Sequence, residues 1–105
     1  MNIPETVKIG WRNYLIKSSN NQNNALEEIV AGEIDYDNHI IYLDTAIAQP
    51  HQKQLTLLHE IIHGIFQYQG HTEWRKNEEL IEAISEGLMQ VILDNPKLFT
   101  EEETV

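Results

Sequence analysis

The sequence TLLHEIIHGIFQY, residues 56–68, is the segment on which the fold of this chain depends. His59 and His63 stand four positions apart, so on a helix they lie on one face and both can reach a single cation. Glu60 projects beside that face. Neutral imidazoles suit zinc, and a carboxylate close to the metal can take a proton from a metal-bound water. This H-E-x-x-H pattern therefore predicts a zinc site on a helix, with Glu60 as the catalytic base.

The apolar residues around this motif predict that its helix is buried in the centre of the domain. They cover a broad arc of the helix and comprise Leu55, Leu58, Ile61, Ile62, Ile65 and Phe66. A helix packed on most sides would not bury two histidines and a glutamate without a use for them, because unpaired polar groups are costly there. The alternative interpretation is a pair of half-exposed histidines beside an apolar core.

Length, charge and composition restrict the class of protein. The 105 residues, of which 41% are hydrophobic, predict one compact domain over residues 1–99, followed by an acidic, disordered tail over residues 100–105. A net charge of −10 with only 7 Lys and Arg argues against a nucleic-acid partner. The absence of cysteine excludes disulfides and cysteine-ligated zinc and fits a cytoplasmic location. No apolar run approaches the roughly 20 residues of a membrane span, so we expect no membrane partner.

The secondary-structure pattern predicts an α+β fold. Residues 6–17 are rich in β-branched and aromatic residues and predict one strand with a bulge or bend. A polar loop over residues 18–24 and an ambiguous segment over residues 25–31 follow. Two β-prone runs, residues 32–36 and 40–43, flank a tight polar turn and predict a hairpin. Together these segments would form a small antiparallel sheet of about three strands.

Two antiparallel helices are expected after the sheet. The motif helix should run from about Pro50 to Tyr68, because proline is favoured in a first turn and Gly70 is a typical C-terminal stop. A second helix should begin near Glu73 or Lys76 and end at about residue 93, before a proline. The small sheet would then pack on the central H-E-x-x-H helix.

A zinc ion held by two histidines needs at least one further protein ligand. The position six residues after His63 is Gln69, which rules out the extended motif with three histidines. His71 would have to fold back sharply over the helix end. The remaining source is the acidic second helix, which carries Glu78, Glu79, Glu82 and Glu86.

Helical geometry favours Glu82 among these carboxylates. His63 lies about five residues from the end of its helix, so its partner should lie a similar distance, or somewhat further, into the next one. Glu82 satisfies this count and lies at the border of the apolar stripe. Glu78 and Glu79 stay as alternative ligands. Glu86 is a candidate acceptor for the free N–H of a ligating histidine, or simply part of a solvated face.

In these features the chain resembles the zincin-type metallopeptidases, and more narrowly the small ImmA/IrrE-like metallo-endopeptidase domains of phages and mobile elements. The resemblance covers about residues 30–96 and includes the hairpin, the histidine motif and the run from Glu79 to Leu88. It implies a sheet packed on the motif helix and a gluzincin-like ligand set of His59, His63 and Glu82, with Glu60 as general base. Longer relatives carry an Asn-containing stretch after the third ligand, where this chain has Ile84 and Ser85.

The resemblance implies a zinc-dependent endopeptidase that hydrolyses peptide bonds through a metal-activated water and acts on a protein or peptide, in some relatives a transcriptional repressor or its partner. The edge of the hairpin would hold an extended substrate. Tyr68 and His71 are candidate oxyanion stabilisers, with an ordinary loop role as the alternative. Two other functions stay open: a metal-containing binding module, such as an anti-repressor or inhibitor, and a structural protein without metal. The sequence leaves the oligomeric state open.

Overall fold

The computed structural model describes residues 2–19, 22–23 and 29–100 and shows an α+β fold. Residues 101–105 of the predicted acidic tail lie outside the described residues, as do residues 20, 21 and 24 of the predicted polar loop and residues 25–28 of the ambiguous segment. The elements in chain order are β1 (Thr6–Ile9), β2 (Arg12–Ser19), β3 (Gln22–Asn23), β4 (Ile29–Val30), β5 (Gly32–Asp35), β6 (Ile40–Asp44), α1 (Pro50–Gln69), α2 (Thr72–Arg75) and α3 (Glu78–Asp94).

The main sheet has four strands in the order β1-β2-β6-β5 and is mixed, not antiparallel as predicted. The pairs β1/β2 and β5/β6 are antiparallel, whereas β2 and β6 run parallel. After β2, the chain returns to the sheet at its edge as β5. It then reverses direction and forms β6, which lies between β5 and β2. Strand direction therefore follows from a long connection, which the pattern of β-prone residues does not encode.

The segment predicted as one strand over residues 6–17 is a hairpin of two strands. Ile9 pairs with Arg12, so Gly10 and Trp11 form the turn. Gly10 has a φ of 64°, a left-handed conformation that glycine adopts at no steric cost. The ring of Tyr68 occupies the space that a Cβ atom at this position would need. The predicted bend at Gly10 is thus a complete reversal of the chain.

The described residues of the predicted polar loop over residues 18–24 belong to strands. Its first two residues, Ser18 and Ser19, belong to β2. Further on, β3 pairs with β4 in a separate antiparallel sheet of two short strands. The ambiguous segment over residues 25–31 therefore contributes a strand at residues 29–30.

Helix α1 lies between two apolar clusters, as its broad apolar arc predicts. On the sheet side, Leu57 packs with buried residues of β1, β2 and β6, namely Ile9, Tyr14, Ile41 and Leu43. On the other side, Leu58 and Ile62 pack with Ile81 and Met89 of α3. This double packing fixes the rotation of α1 and thereby the direction in which its histidines point.

The helix ends follow local chemistry. Pro50 lies in the first turn of α1, and Gly70 closes the helix in a left-handed conformation with φ 77°. The Asn77 side chain caps α3 by accepting a hydrogen bond from the Leu80 N–H, 3.1 Å away. The second predicted helix, expected to begin near Glu73 or Lys76, begins at Glu78, because residues 72–75 form the separate short helix α2. None of the helices in the described part of the chain is both long and apolar enough to cross a membrane.

Candidate metal centre

Two histidines of α1 and one glutamate of α3 converge on a common point. The Nε2 atom of His59 lies 3.0 Å from Glu78 Oε2, and the Nε2 atom of His63 lies 2.8 Å from Glu78 Oε1. One ligand atom from each of the three side chains lies within 4.8 Å of the other two. Imidazole nitrogen and carboxylate oxygen are both zinc ligands, so this group could hold a metal ion.

The structure places Glu78, and not the predicted Glu82, beside the two histidines. The prediction counted residues from a short loop, but α2 takes up most of the connection and α3 therefore starts only at Glu78. The first turn of α3 is the part that reaches the histidines. Glu82, one turn further on, is exposed and lines the wall of the cleft, and Glu86 lines it another turn away. Glu79 is exposed and lies outside the metal group.

The backbone of Arg75 contacts the His63 ring. This backbone forms a hydrogen bond with His63, whose Nε2 atom faces Glu78. This contact would help to orient the ring of a histidine that binds a metal through Nε2. Burial lowers the pKa of His63 below its ordinary value, although the Glu78 carboxylate opposes this shift. The neutral imidazole that burial favours is the form that binds a metal.

Glu60 is buried next to this group, with only 7% of its surface exposed. Strand β5 covers it so closely that a Cβ atom at Gly32 would lie 3.4 Å from Glu60 Cγ. Burial is the main cause that raises the pKa of Glu60 to about 8, followed by the charges of Glu78 and Glu33. A divalent cation nearby would lower this pKa because positive charge favours the carboxylate. Glu60 can therefore exchange a proton near neutral pH.

The metal group opens into a cleft of about 790 Å³ between β5, α1 and the start of α3. Strand β5 forms an edge of the four-stranded sheet, so its outer backbone borders the cleft. Carboxylates dominate the charged lining, with Arg75 and Lys76 as the cations among the described residues. The polar and charged residues of the lining are Glu33, Tyr36, Gln52, Thr56, His59, Glu60, His63, Arg75, Lys76, Glu78, Glu82, Ser85 and Glu86.

The two predicted oxyanion stabilisers lie away from this cleft. The Tyr68 ring packs over Gly10 at the β1–β2 turn and is 56% exposed. The His71 ring stacks on Trp74 with ring centroids 3.9 Å apart and lines a separate hollow at the end of α1. Neither residue lines the cleft, so these contacts favour the alternative, an ordinary role in the fold, and give no support to a role as oxyanion stabiliser.

Two residues that sequence reasoning missed do line the cleft. Tyr36 lies just beyond β5, and Arg75 is the last residue of α2. The β-prone pattern identifies Tyr36 only as the end of a strand. For Arg75 no sequence signal exists, since its position depends on the short helix α2.

No family model matches this chain, and comparison with curated proteins and with solved structures gave no significant match.

Proposed function

We propose that this protein is a zinc-dependent endopeptidase. The observation that carries the proposal is the convergence of His59, His63 and Glu78 in an open cleft, with the buried carboxyl of Glu60 beside them. A site with three protein ligands leaves a position open, which is the arrangement of catalytic and not of structural zinc. The likeness of the histidine motif to the ImmA/IrrE-like domains supports the same reaction.

Each residue of the site has a separate role in the proposed peptide hydrolysis. His59, His63 and Glu78 would hold the zinc ion, which when bound polarises a carbonyl group and activates water. Glu60 accepts the proton of the attacking water and passes it to the leaving amine. The outer edge of β5 binds an extended peptide by backbone hydrogen bonds, in the manner of an added strand. A regulatory protein is the substrate class that the family resemblance favours.

Metal analysis tests the ligand set directly. We expect purified protein to bind one zinc ion, and Glu78→Ala to weaken the affinity by more than the roughly 10–100-fold that is typical of residues behind the ligands. Glu82→Ala is the matched control, because it removes an exposed carboxylate one turn along the same helix. Equal losses of affinity in both variants would contradict the assignment of Glu78.

Cleavage of a quenched-fluorescence peptide library tests the reaction. Glu60→Gln should abolish cleavage while zinc stays bound, because the amide cannot accept the proton of water at neutral pH. Full cleavage by this variant would exclude Glu60 as the base. A wild-type protein that binds zinc but cleaves no peptide or protein would instead favour the metal-containing binding module.

A further inference from the structure

The two hairpins of the main sheet carry opposite charges. The β1–β2 hairpin over residues 6–19 has no acidic residue and three cations, Lys8, Arg12 and Lys17. The β5–β6 hairpin over residues 32–44 has neither Lys nor Arg and four carboxylates, Glu33, Asp35, Asp37 and Asp44. Because the strand order is β1-β2-β6-β5, one half of the sheet is basic and the other half is acidic.

Helix α1 packs on one face of this sheet, and the opposite face presents an exposed leucine between these two halves. The face under α1 carries the apolar cluster that includes Ile9, Tyr14, Ile34, Ile41 and Leu43. Successive side chains of a strand point to opposite faces, so the residues next to these in each strand point away from α1. We call that side the outer face; its apolar centre is Leu15, Ile40 and Tyr42, and its charges are Lys8, Lys17, Glu33 and Asp35. Leu15 is 47% exposed, and both lysines and Glu33 are exposed as well.

We propose that the outer face binds the outer face of a second copy of this chain. A two-fold axis that runs parallel to the strands, between β2 and β6, places the basic half of each copy over the acidic half of the other. Lys8 and Lys17 of one copy then face carboxylates of the second copy. Leu15, which is paired with Ile40 in the β2/β6 register, lies over Ile40 of the second copy. Edge-to-edge pairing of two β1 strands, or of two β5 strands, would instead bring like charges together, so charge favours the contact between outer faces.

The size of the outer face sets the expected affinity. Strands about 4.8 Å apart and about five residues long, at about 3.3 Å per residue, give a four-stranded sheet a face of roughly 300 Å². Stable interfaces bury about 800 Å² per partner, so this contact belongs to the weak class, with a dissociation constant of roughly 10–100 µM. The metal group lies on α1, on the other side of the sheet, so the dimer leaves it open. The inference therefore does not depend on the proposed endopeptidase function.

Sedimentation equilibrium of the full chain, from about 10 µM to about 1 mM, tests the dimer at concentrations that span this range. We expect the double variant Lys8→Glu/Lys17→Glu to weaken dimerisation at least about 10-fold, because both halves of its outer face are then acidic. Lys53→Glu/Lys97→Glu is the matched control, since it changes the net charge by the same amount outside the sheet, on α1 and after α3. A wild-type monomer at about 1 mM, oligomers larger than a dimer, or equal losses in the two double variants would overturn the inference.

A mixing experiment separates loss of the interface from loss of the fold. Glu33→Lys makes the acidic half of the outer face less acidic and should also weaken its own dimer. Mixed with Lys8→Glu/Lys17→Glu, it restores opposite charges across the contact, so the mixture should form a heterodimer at least about 10-fold more tightly than either variant forms its own dimer. Two variants that stay monomeric when mixed would overturn the contact between outer faces.

Discussion

Replacing Glu60 by glutamine should stabilise the metal-free protein at neutral pH, although it removes the proposed base. The folded protein raises the pKa of this carboxyl from 4.5 to about 8, chiefly by burial. At pH 7 the unfolded chain carries a charged carboxylate, and folding must supply it with a proton. The unfolded pKa of 4.5 lies 2.5 pH units below pH 7, and each unit corresponds to about 1.36 kcal/mol. The protonation of Glu60 on folding therefore lowers the free energy of unfolding at pH 7 by about 3 kcal/mol.

The pH dependence of the free energy of unfolding tests whether the burial of Glu60 causes this difference in stability. Because the folded pKa lies above the unfolded one, the folded state binds more protons between pH 4.5 and about 8. The contribution of Glu60 to the free energy of unfolding should therefore be most favourable below pH 4.5 and should fall as the pH rises to about 8. Glutamine carries no such proton, so Glu60→Gln lacks this slope.

Urea unfolding in the presence of a chelator measures the effect. The gain in unfolding free energy for Glu60→Gln over wild type should be under about 1 kcal/mol at pH 5 and about 3 kcal/mol at pH 7. Glu82→Gln serves as the control, since this side chain is exposed and should show no such gain. A difference between wild type and Glu60→Gln that does not change with pH would refute the burial of an ionisable carboxyl beside the histidines.

Glycine substitutions test the packing that positions the site. Gly10→Ala should lower the free energy of unfolding by more than about 1 kcal/mol, because φ at this position is positive and the Tyr68 ring fills the space of the new methyl group. Thermal unfolding measures this loss, and an unchanged Tm would contradict it. Gly64→Ala should destabilise by about 1–3 kcal/mol, because its Cβ would lie 2.8 Å from Ile9 Cδ1. Gly87→Ala is the matched helical control, because a Cβ atom at this position would have no neighbouring atom within 4 Å, and it should raise the free energy of unfolding by up to about 1 kcal/mol. If Gly64→Ala and Gly87→Ala changed the free energy of unfolding in the same direction, the close packing of α1 on the sheet would be refuted.

The sequence was informative where function and packing leave a local pattern. Four-residue spacing brings His59 and His63 onto one face, and the apolar arc around them predicts the central position of α1 between two apolar clusters. The α+β class follows from the order of β-prone and helical segments. Residues Pro50 and Gly70 mark the ends of α1 through local conformational preferences.

The errors arose where the outcome depends on distant contacts. Gly10 turns the chain back on itself, and the Tyr68 ring that packs over this turn comes from the far end of α1. The direction of β6 depends on a connection that passes to the edge of the sheet. Glu78 reaches the histidines because α2 delays the start of α3, whereas a count from a simple loop selects Glu82. Gly10 itself is a local signal for the turn, although it predicted only a bend, whereas no short-range pattern encodes the other two arrangements.

The position of Glu78 at the first turn of α3 would give a bound metal ion a second role, in stability. Coordination by His63 and Glu78 would tie together the two ends of the segment that contains α2, much as a covalent cross-link does. Because a metal ion would bind this folded arrangement and not the unfolded chain, its supply would govern how firmly α2 is held, and with it the Arg75 side chain. Removal of the metal would then loosen the α2 side of the cleft as well as empty the metal site.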